Sequence, residues 1–328
     1  MEPVDALLEI ASLLERERAS RYRAKAFRVA AAAFADLPDD VKDDATRLRA
    51  VKGIGESTFA VIREAQSGVV PTYLVELRGD VEPEIVSALR SALRGDLHAH
   101  TDWSDGTTSI SVMAEAARAL GHEYQAVTDH SPRLRVARGL SAERLRSQIP
   151  LVRAESREGF TMLAGIEVDI LDDGALDQDD ELLADLDVVV ASVHSHLRMD
   201  SRAMTARMIA AVSNPRVNVL GHCTGRLVEG SRGTRPQSEF DAAAVFAACA
   251  DNSVAVEINS RPERQDPPDE LIAIALDAGC LFAIDSDAHA PGQLSLLDHG
   301  AQRAERAGVP SGRIITTWGL ERLLAWTR

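Results

Sequence analysis

His98 and His100 flank a single alanine in the run Gly95-Asp96-Leu97-His98-Ala99-His100-Thr101-Asp102-Trp103-Ser104-Asp105-Gly106. Side-chain direction in an extended strand repeats every two residues, so both imidazoles face one way and Leu97 and Ala99 the other. Asp105, beside Gly106 in a turn-forming Ser-Asp-Gly run, is placed to fold back toward the same point. Imidazole nitrogen together with carboxylate oxygen suits Zn, Mn or Fe better than Ca or Mg. Further along, the same residue types close one apolar run after another: Asp129-His130, Glu167, His194, His222, then Asp287 and His289.

The elements that must position them are legible downstream of Gly95. Strand-like runs occupy 124–129, 162–167, 186–193, 217–221, 254–259 and 280–285, and helical patterns lie between them at 110–120, 142–156, 201–212, 240–249 and 268–278. Alternating strands and helices imply a parallel sheet, open or closed. In a parallel α/β barrel the C-terminal strand ends converge on one rim, where the chemistry sits. Unrelated core histidines would have no reason to terminate separate strands. Convergence on one metal site is the expectation.

Residues 1–79 have a different texture. Leu7, Leu8, Ile10, Ala11, Leu13 and Leu14 give 4–19 a helical period, a second helix runs from Tyr22 to about Phe34, and Leu37-Pro38-Asp39-Asp40 breaks it. Lys52-Gly53-Ile54-Gly55 then opens a helix reaching Gln66. A Gly-x-Gly turn at a helix start offers backbone N–H groups to a phosphate. The domain boundary is expected in a short helical connector over 80–94, begun by Glu82-Pro83-Glu84.

Composition bounds the reading. The chain has 328 residues, 45% hydrophobic and 27% charged, as in ordinary globular proteins, and no apolar run long enough for a membrane span. Met1-Glu2-Pro3-Val4-Asp5 lacks the basic start and apolar core of a signal peptide. Cys223, Cys249 and Cys280 are odd in number and widely spaced, which implies buried thiols and a cytoplasmic compartment. The net charge is −15: residues 1–94 carry 14 Lys and Arg against 16 Asp and Glu, the remainder 22 against 35. A nucleic-acid partner would have to be held by local geometry or bound metal, since the global field repels it.

Two resemblances sharpen this. Arg21-Tyr22-Arg23-Ala24-Lys25-Ala26-Phe27-Arg28, the Leu37-Pro38 break and Lys52-Gly53-Ile54-Gly55 resemble the N-terminal helix-hairpin-helix domain of family-X DNA polymerases. That resemblance implies binding of DNA ends or gapped DNA through residues 1–79, with Lys52, Gly53, Ile54 and Gly55 at the contact. The Schiff-base lysine of lyase-active relatives has no counterpart: Val61 stands at the comparable spacing, and no lysine follows Lys52. His98-Ala99-His100, Thr128-Asp129-His130, Gly221-His222 and Ser286-Asp287-Ala288-His289 resemble the four motifs of the polymerase and histidinol phosphatase (PHP) superfamily, and the surrounding segments its form in bacterial family-X polymerases. The polymerase palm has no room between the two parts.

The resemblance implies an α/β fold, a distorted (β/α)7 PHP barrel over 95–328 preceded by a small all-α domain. It also implies two or three divalent ions (Mn, Zn or Fe) on His98, His100, Asp105, His130, Glu167, His194, His222, Asp287 and His289, with Glu167 bridging. Asp129, Glu167 and His194 are the expected catalytic residues, Asp129 by orienting His130 or a neighbouring ligand. Arg198, Arg226 and Arg261 follow strand ends and are candidates for substrate phosphate. His196 alternates toward the rim without an assigned role, and His122 and His299 read as surface residues. Three functions follow: a 3′→5′ exonuclease or 3′-end-processing phosphodiesterase for DNA repair without polymerase activity; a small-molecule phosphomonoesterase of the histidinol-phosphatase type; or a DNA-end-binding adaptor. A separate polymerase is a potential partner of the first, and no membrane is involved.

Overall fold

A computed structural model describes residues 1–18, 20–79, 87–230 and 233–327. It divides into two compact units, Met1–Ile85 with Ala290–Gln293, and Val86–His289 with Leu294–Arg328. The first is helical: α1 (Pro3–Arg16), α2 (Arg21–Ala35), α3 (Asp39–Lys42), α4 (Ala45–Arg49), α5 (Glu56–Gln66) and α6 (Thr72–Gly79). Leu7, Ile10, Leu14, Phe27, Leu48, Ile62 and Leu74 are buried together as its core. The short helices α3 and α4 are additions to the sequence reading. Two helical turns are too brief to show a period, and only Asp44, whose carboxylate caps the N–H groups of Thr46 and Arg47, marks the start of α4.

The turn before α5 is built on Gly53, whose φ of +99° favours glycine, and a Cβ there would lie 2.9 Å from Val29 Cγ1. Ile54 is buried beneath it while Lys52 and Gly55 stay exposed, so the start of α5 faces solvent. Val61, where lyase-active relatives carry lysine, is buried in the helical core.

The second unit is a seven-stranded parallel sheet with strands in sequence order. Its elements are α7 (Ala88–Ala92), β1 (Gly95–Asp96), α8 (Ile110–Ala119), β2 (Tyr124–Val127), α9 (Ala142–Ala154), β3 (Thr161–Asp169), α10 (Asp180–Leu183), β4 (Val188–Ser192), α11 (Ser201–Val212), β5 (Val219–Leu220), α12 (Ala242–Asp251), β6 (Ala255–Asn259), α13 (Asp269–Asp277), β7 (Phe282–Asp285), α14 (Leu297–Arg306) and α15 (Leu320–Trp326). A parallel bridge between Ala99 and Ala288, with His100 N–H donating to the Ala288 carbonyl at 2.7 Å, joins the first strand to the last. Alternation then sorts the side chains. Met162, Ala164, Ile166, Val189, Val256 and Ile284 pack on the helices. Tyr124, Ala126, Leu163, Val188, Val190, Val219, Ala255 and Ala283 fill the interior, against Ile315, Trp318 and Leu323.

The connector reading changes at one end. Glu82-Pro83-Glu84 lies outside the described residues, but α7 packs against α14 within the barrel unit, where Arg90 meets Asp298 at 2.7 Å. The last turn of the expected connector is therefore barrel structure. No helix among the described residues is long and apolar enough to cross a membrane. The three cysteines are free and buried.

His299 is exposed as expected, but His122 is not on the surface: it is buried, facing Gln125 Oε1 at 3.3 Å. Burial first, and then the positive charge of Arg90, holds its imidazole down to about 4. An unfolded histidine titrates near ~6.5, so between these values the unfolded chain binds a proton that the folded one refuses, and stability falls as pH drops through that window. His122→Gln should remove about 2 kcal/mol of the stability difference between pH 7 and pH 5. Urea unfolding of wild type and variant at both pH values checks this; parallel losses would show that His122 is not the titrating group.

Candidate metal centre

Every strand but β6 delivers a candidate ligand at, near or just beyond its C-terminal end. His98 and His100 follow β1, His130 follows β2, His194 follows β4, His222 follows β5, and Asp287 and His289 follow β7. Glu167 lies inside β3, paired with Val190, on the inward-facing parity of Leu163 and Gly165. Asp105 comes back on the turn after His100. Gly106 makes that turn possible, because a Cβ there would come within 2.7 Å of the Thr101 carbonyl oxygen.

These nine residues form four overlapping sets whose donor atoms lie within 4.8 Å of one another: His100, Asp105, His130 and His289; His98, His100 and Asp287; His98, Glu167 and His222; His130, Glu167 and His194. Glu167 is central. Its Oε2 faces His130 Nδ1 at 2.8 Å, His98 Nε2 at 3.4 Å and His100 Nε2 at 3.6 Å, while Oε1 faces His222 Nε2 at 2.8 Å and His194 Nε2 at 3.2 Å. Yet both Glu167 oxygens, and His98 Nε2, His130 Nδ1, His194 Nε2 and both nitrogens of His100 and His222, are buried without a hydrogen bond. Lone pairs aimed at a common point without donors between them are what a cation satisfies. The donor set fits divalent metal.

The charge pattern agrees. Burial alone would raise the Glu167 carboxyl, but the imidazoles of His194, His98 and His130 hold it well below the usual carboxylate range. Asp287 is held down in the same way against its burial, chiefly by the Arg264 guanidinium, which donates to Oδ2 at 2.9 Å. Burial, then the neighbouring His289 and His130, pushes the His100 imidazole down to about 3, leaving it neutral and ready to ligate.

The family model for the PHP domain matches residues 96–261, just over half of the chain, and that for a helix-hairpin-helix domain matches residues 1–67. The chain belongs to the PHP domain family. It is 36% identical, over 72% of its length and 41% of the relative's, to the DNA polymerase/3′-5′ exonuclease PolX of Bacillus subtilis. The chain therefore spans about two fifths of that protein. It is 28% identical, over 68% of its length and 89% of the relative's, to a protein named "probable phosphatase" from Thermoanaerobacter sp. (strain X514). The crystal structure of histidinol phosphate phosphatase from Lactococcus lactis, complexed with zinc, L-histidinol and phosphate, is similar at 18% identity and a TM-score of 0.46, over 66% of this chain and 94% of that one. This PHP protein is a metal-dependent phosphoesterase.

Some of the expected PHP site residues are engaged elsewhere. Asp129 touches no imidazole. It accepts from Thr101 N–H at 2.8 Å, Thr101 Oγ1 at 2.5 Å, Gln148 Nε2 at 2.6 Å and the Ser104 hydroxyl, so it clamps the loop that carries Asp105. Arg226 is committed to the Arg264 and Gln265 carbonyls, and Arg198 is exposed. Arg261 alone of the three reaches the cluster: Nη1 sits 3.1 Å from His289 Nδ1 and 3.0 Å from the Asp287 carbonyl, while Glu263 braces the guanidinium at 2.7 Å. His196 is exposed, its Nδ1 against Asp172.

The carboxylates that orient the imidazoles were missed as such. Glu257 Oε1 meets His98 Nδ1 at 2.6 Å, and Asp169 Oδ1 meets His194 Nδ1 at 2.5 Å. Each fixes a ring so that Nε2 aims at Glu167. The available signal was parity: Glu257 and Asp169 alternate inward with Ala255 and Glu167. Glu257→Gln is expected to lower divalent-metal affinity 10- to 100-fold while the far-UV spectrum stays native. Metal titration by calorimetry tests it, and wild-type affinity in the variant would make Glu257 a packing residue only.

Proposed function

We propose that this chain is a 3′→5′ exonuclease or 3′-end-processing phosphodiesterase that acts on DNA in repair and does not polymerise. One observation carries the reading: a helix-hairpin-helix match at 1–67 stands in the same chain as a PHP match at 96–261, and a polymerase/exonuclease is 36% identical over 72% of this chain. A metabolic phosphatase has no use for a DNA clamp. A separate polymerase would complete such a repair step.

In this reading His98, His100, Asp105, His130, Glu167, His194, His222, Asp287 and His289 hold two or three ions of Mn, Zn or Fe, with Glu167 shared between ions. Bound ions of this kind lower the pKa of water toward ~7 and neutralise phosphate oxygens. The chain's own groups supply the rest. Glu257 and Asp169 hold the His98 and His194 rings, Asp129 holds the Asp105 loop, and Arg261 presents its guanidinium beside Asp287 and His289 to a substrate phosphate. In the helical domain, the exposed start of α5 and Lys52 would receive a backbone phosphate.

The second reading, a small-molecule phosphomonoesterase, is favoured by the acidic barrel and by relatives named as phosphatases that the chain covers over 89% of their length. A manganese-supplemented assay on end-labelled single-stranded and gapped DNA, beside phosphomonoesters including histidinol phosphate, separates the two. The expected outcome is 3′-terminal shortening, abolished in His98→Ala and Glu167→Ala and weakened on gapped DNA in Lys52→Glu. Phosphate release with intact DNA would establish the phosphatase instead.

A further inference from the structure

The segment that follows His130, a loop running into the first turns of α9, is unlike the rest of the barrel. Residues 133–146 hold five arginines, Arg133, Arg135, Arg138, Arg144 and Arg146, against the single acid Glu143, in a unit where acids outnumber bases 35 to 22 from residue 95 onward. At its tip stands Val136, 93% exposed, the most exposed large apolar side chain among the described residues. Arg133 and Arg135, which precede it, are exposed as well. An apolar tip beside cations, in water, stabilises nothing in the folded chain.

The loop is nevertheless fixed in place. Ala137 is buried beneath the 3-10 turn Arg135–Ala137, and Leu140 N–H donates to the His130 carbonyl at 2.7 Å. Arg138 Nη2 donates to the Asp102 carbonyl at 3.2 Å and to that of Ser104, the residue before Asp105. Arg144 donates to the Trp103, Arg138 and Gly139 carbonyls and stacks over the Trp103 ring. On the other flank, Asp177 Oδ2 accepts from Arg133 N–H at 2.5 Å, and Gln178 Nε2 donates to the Leu140 carbonyl at 3.1 Å. Two arginines thus tie the loop to the segment bearing Asp105, while two others and Val136 are left pointing at solvent beside His130.

We propose that this loop is the surface that takes the DNA strand leading to the metal centre, with Arg133 and Arg135 on consecutive phosphates and Val136 against the face of an unpaired base. The assignment rests on the nuclease reading and deepens it. Cations spaced along a rigid edge track a polyanion, and an apolar tip next to them meets the π-face that every base offers, which gives binding without sequence preference. A small phosphomonoester would need neither, because its one phosphate is served at the centre itself. In a chain so acidic overall, the loop would supply locally the attraction that the net charge denies.

The test compares wild type, Arg133→Ala/Arg135→Ala and Val136→Ser on single-stranded DNA and on bis(p-nitrophenyl) phosphate, a diester too small to reach the loop. For the double variant the ratio of kcat/KM on DNA to that on the small diester should fall about tenfold, chiefly through KM. The slope of log affinity for DNA against log salt should shrink by about 1.4, as two single-strand phosphate contacts are lost. Val136→Ser should lower the same ratio without changing the salt slope. If wild type shortens DNA and the double variant leaves ratio and slope unchanged, the loop assignment is overturned and the nuclease reading stands. If wild type leaves DNA intact while hydrolysing monoesters, both fall.

Discussion

A buried carboxylate without a hydrogen bond is among the least favourable things a fold can contain, and Glu167 is one. It is fully buried at the centre of the sheet with both oxygens unpartnered. Desolvating such an ion costs several kcal/mol, which only favourable electrostatics at close range offsets. Five imidazoles meet it within 3.6 Å, and they come from the ends of four strands other than its own. No local motif could assemble that ring. It requires strands in sequence order, all parallel, with their C-terminal ends on one rim and β3 placed to push its inward residue into the middle. The barrel topology is therefore the condition under which this carboxylate can exist.

The same constraint explains why β1 ends as early as it does. Beyond Asp96 the chain bends, and side chains take over from ladder hydrogen bonds. Leu97 N–H donates to Asp285 Oδ1, His98 N–H to Asp96 Oδ1, and the Ser286 hydroxyl to Asp96 Oδ2. Burial, and after it the neighbouring Asp96, pushes the Asp285 carboxyl well up. Buried backbone donors need partners wherever the ladder stops, and here short carboxylates provide them. The bend they hold turns His98 and His100 toward Glu167.

That bend also marks where sequence reasoning ran out. Alternation puts Leu97 on the side of Ala99; the chain instead buries Leu97 in the barrel interior and Ala99 against the helices, because the pleat is broken between them. The two histidines still converge, since both lie beyond the break. Strand ends carrying His, Asp or Glu were legible because residue type and position repeat from unit to unit, whatever the local geometry. Which ligand Asp129 serves was open, because its position beside His130 says nothing about direction; four donors from residues 101–148 hold it toward the loop of Asp105. Arg226 looked like a phosphate ligand for the same reason. His122 was hidden since a lone histidine between a helix and a strand carries no burial signal of its own.

Lysine is absent after Lys52, and the barrel shows what arginine does in its place. The loops above the strands leave many carbonyls outside any ladder. Arg207, buried, donates to the Ile170, Leu171 and Ser195 carbonyls, tying the segment after β3 to that after β4. Arg226 does the same for the carbonyls of 264 and 265, Arg235 for Gly225, and Arg303 for Pro267 while also pairing with Asp269. A planar fork with five fixed donors can satisfy two or three carbonyls at once and stays charged when buried, whereas an ammonium on a flexible stem would give up its proton or its geometry. Guanidinium groups thus replace regular secondary structure as the element that makes the ligand-bearing loops stiff. A ring of imidazoles around one carboxylate tolerates little displacement, so the stiffness of those loops and the burial of Glu167 are two halves of one solution.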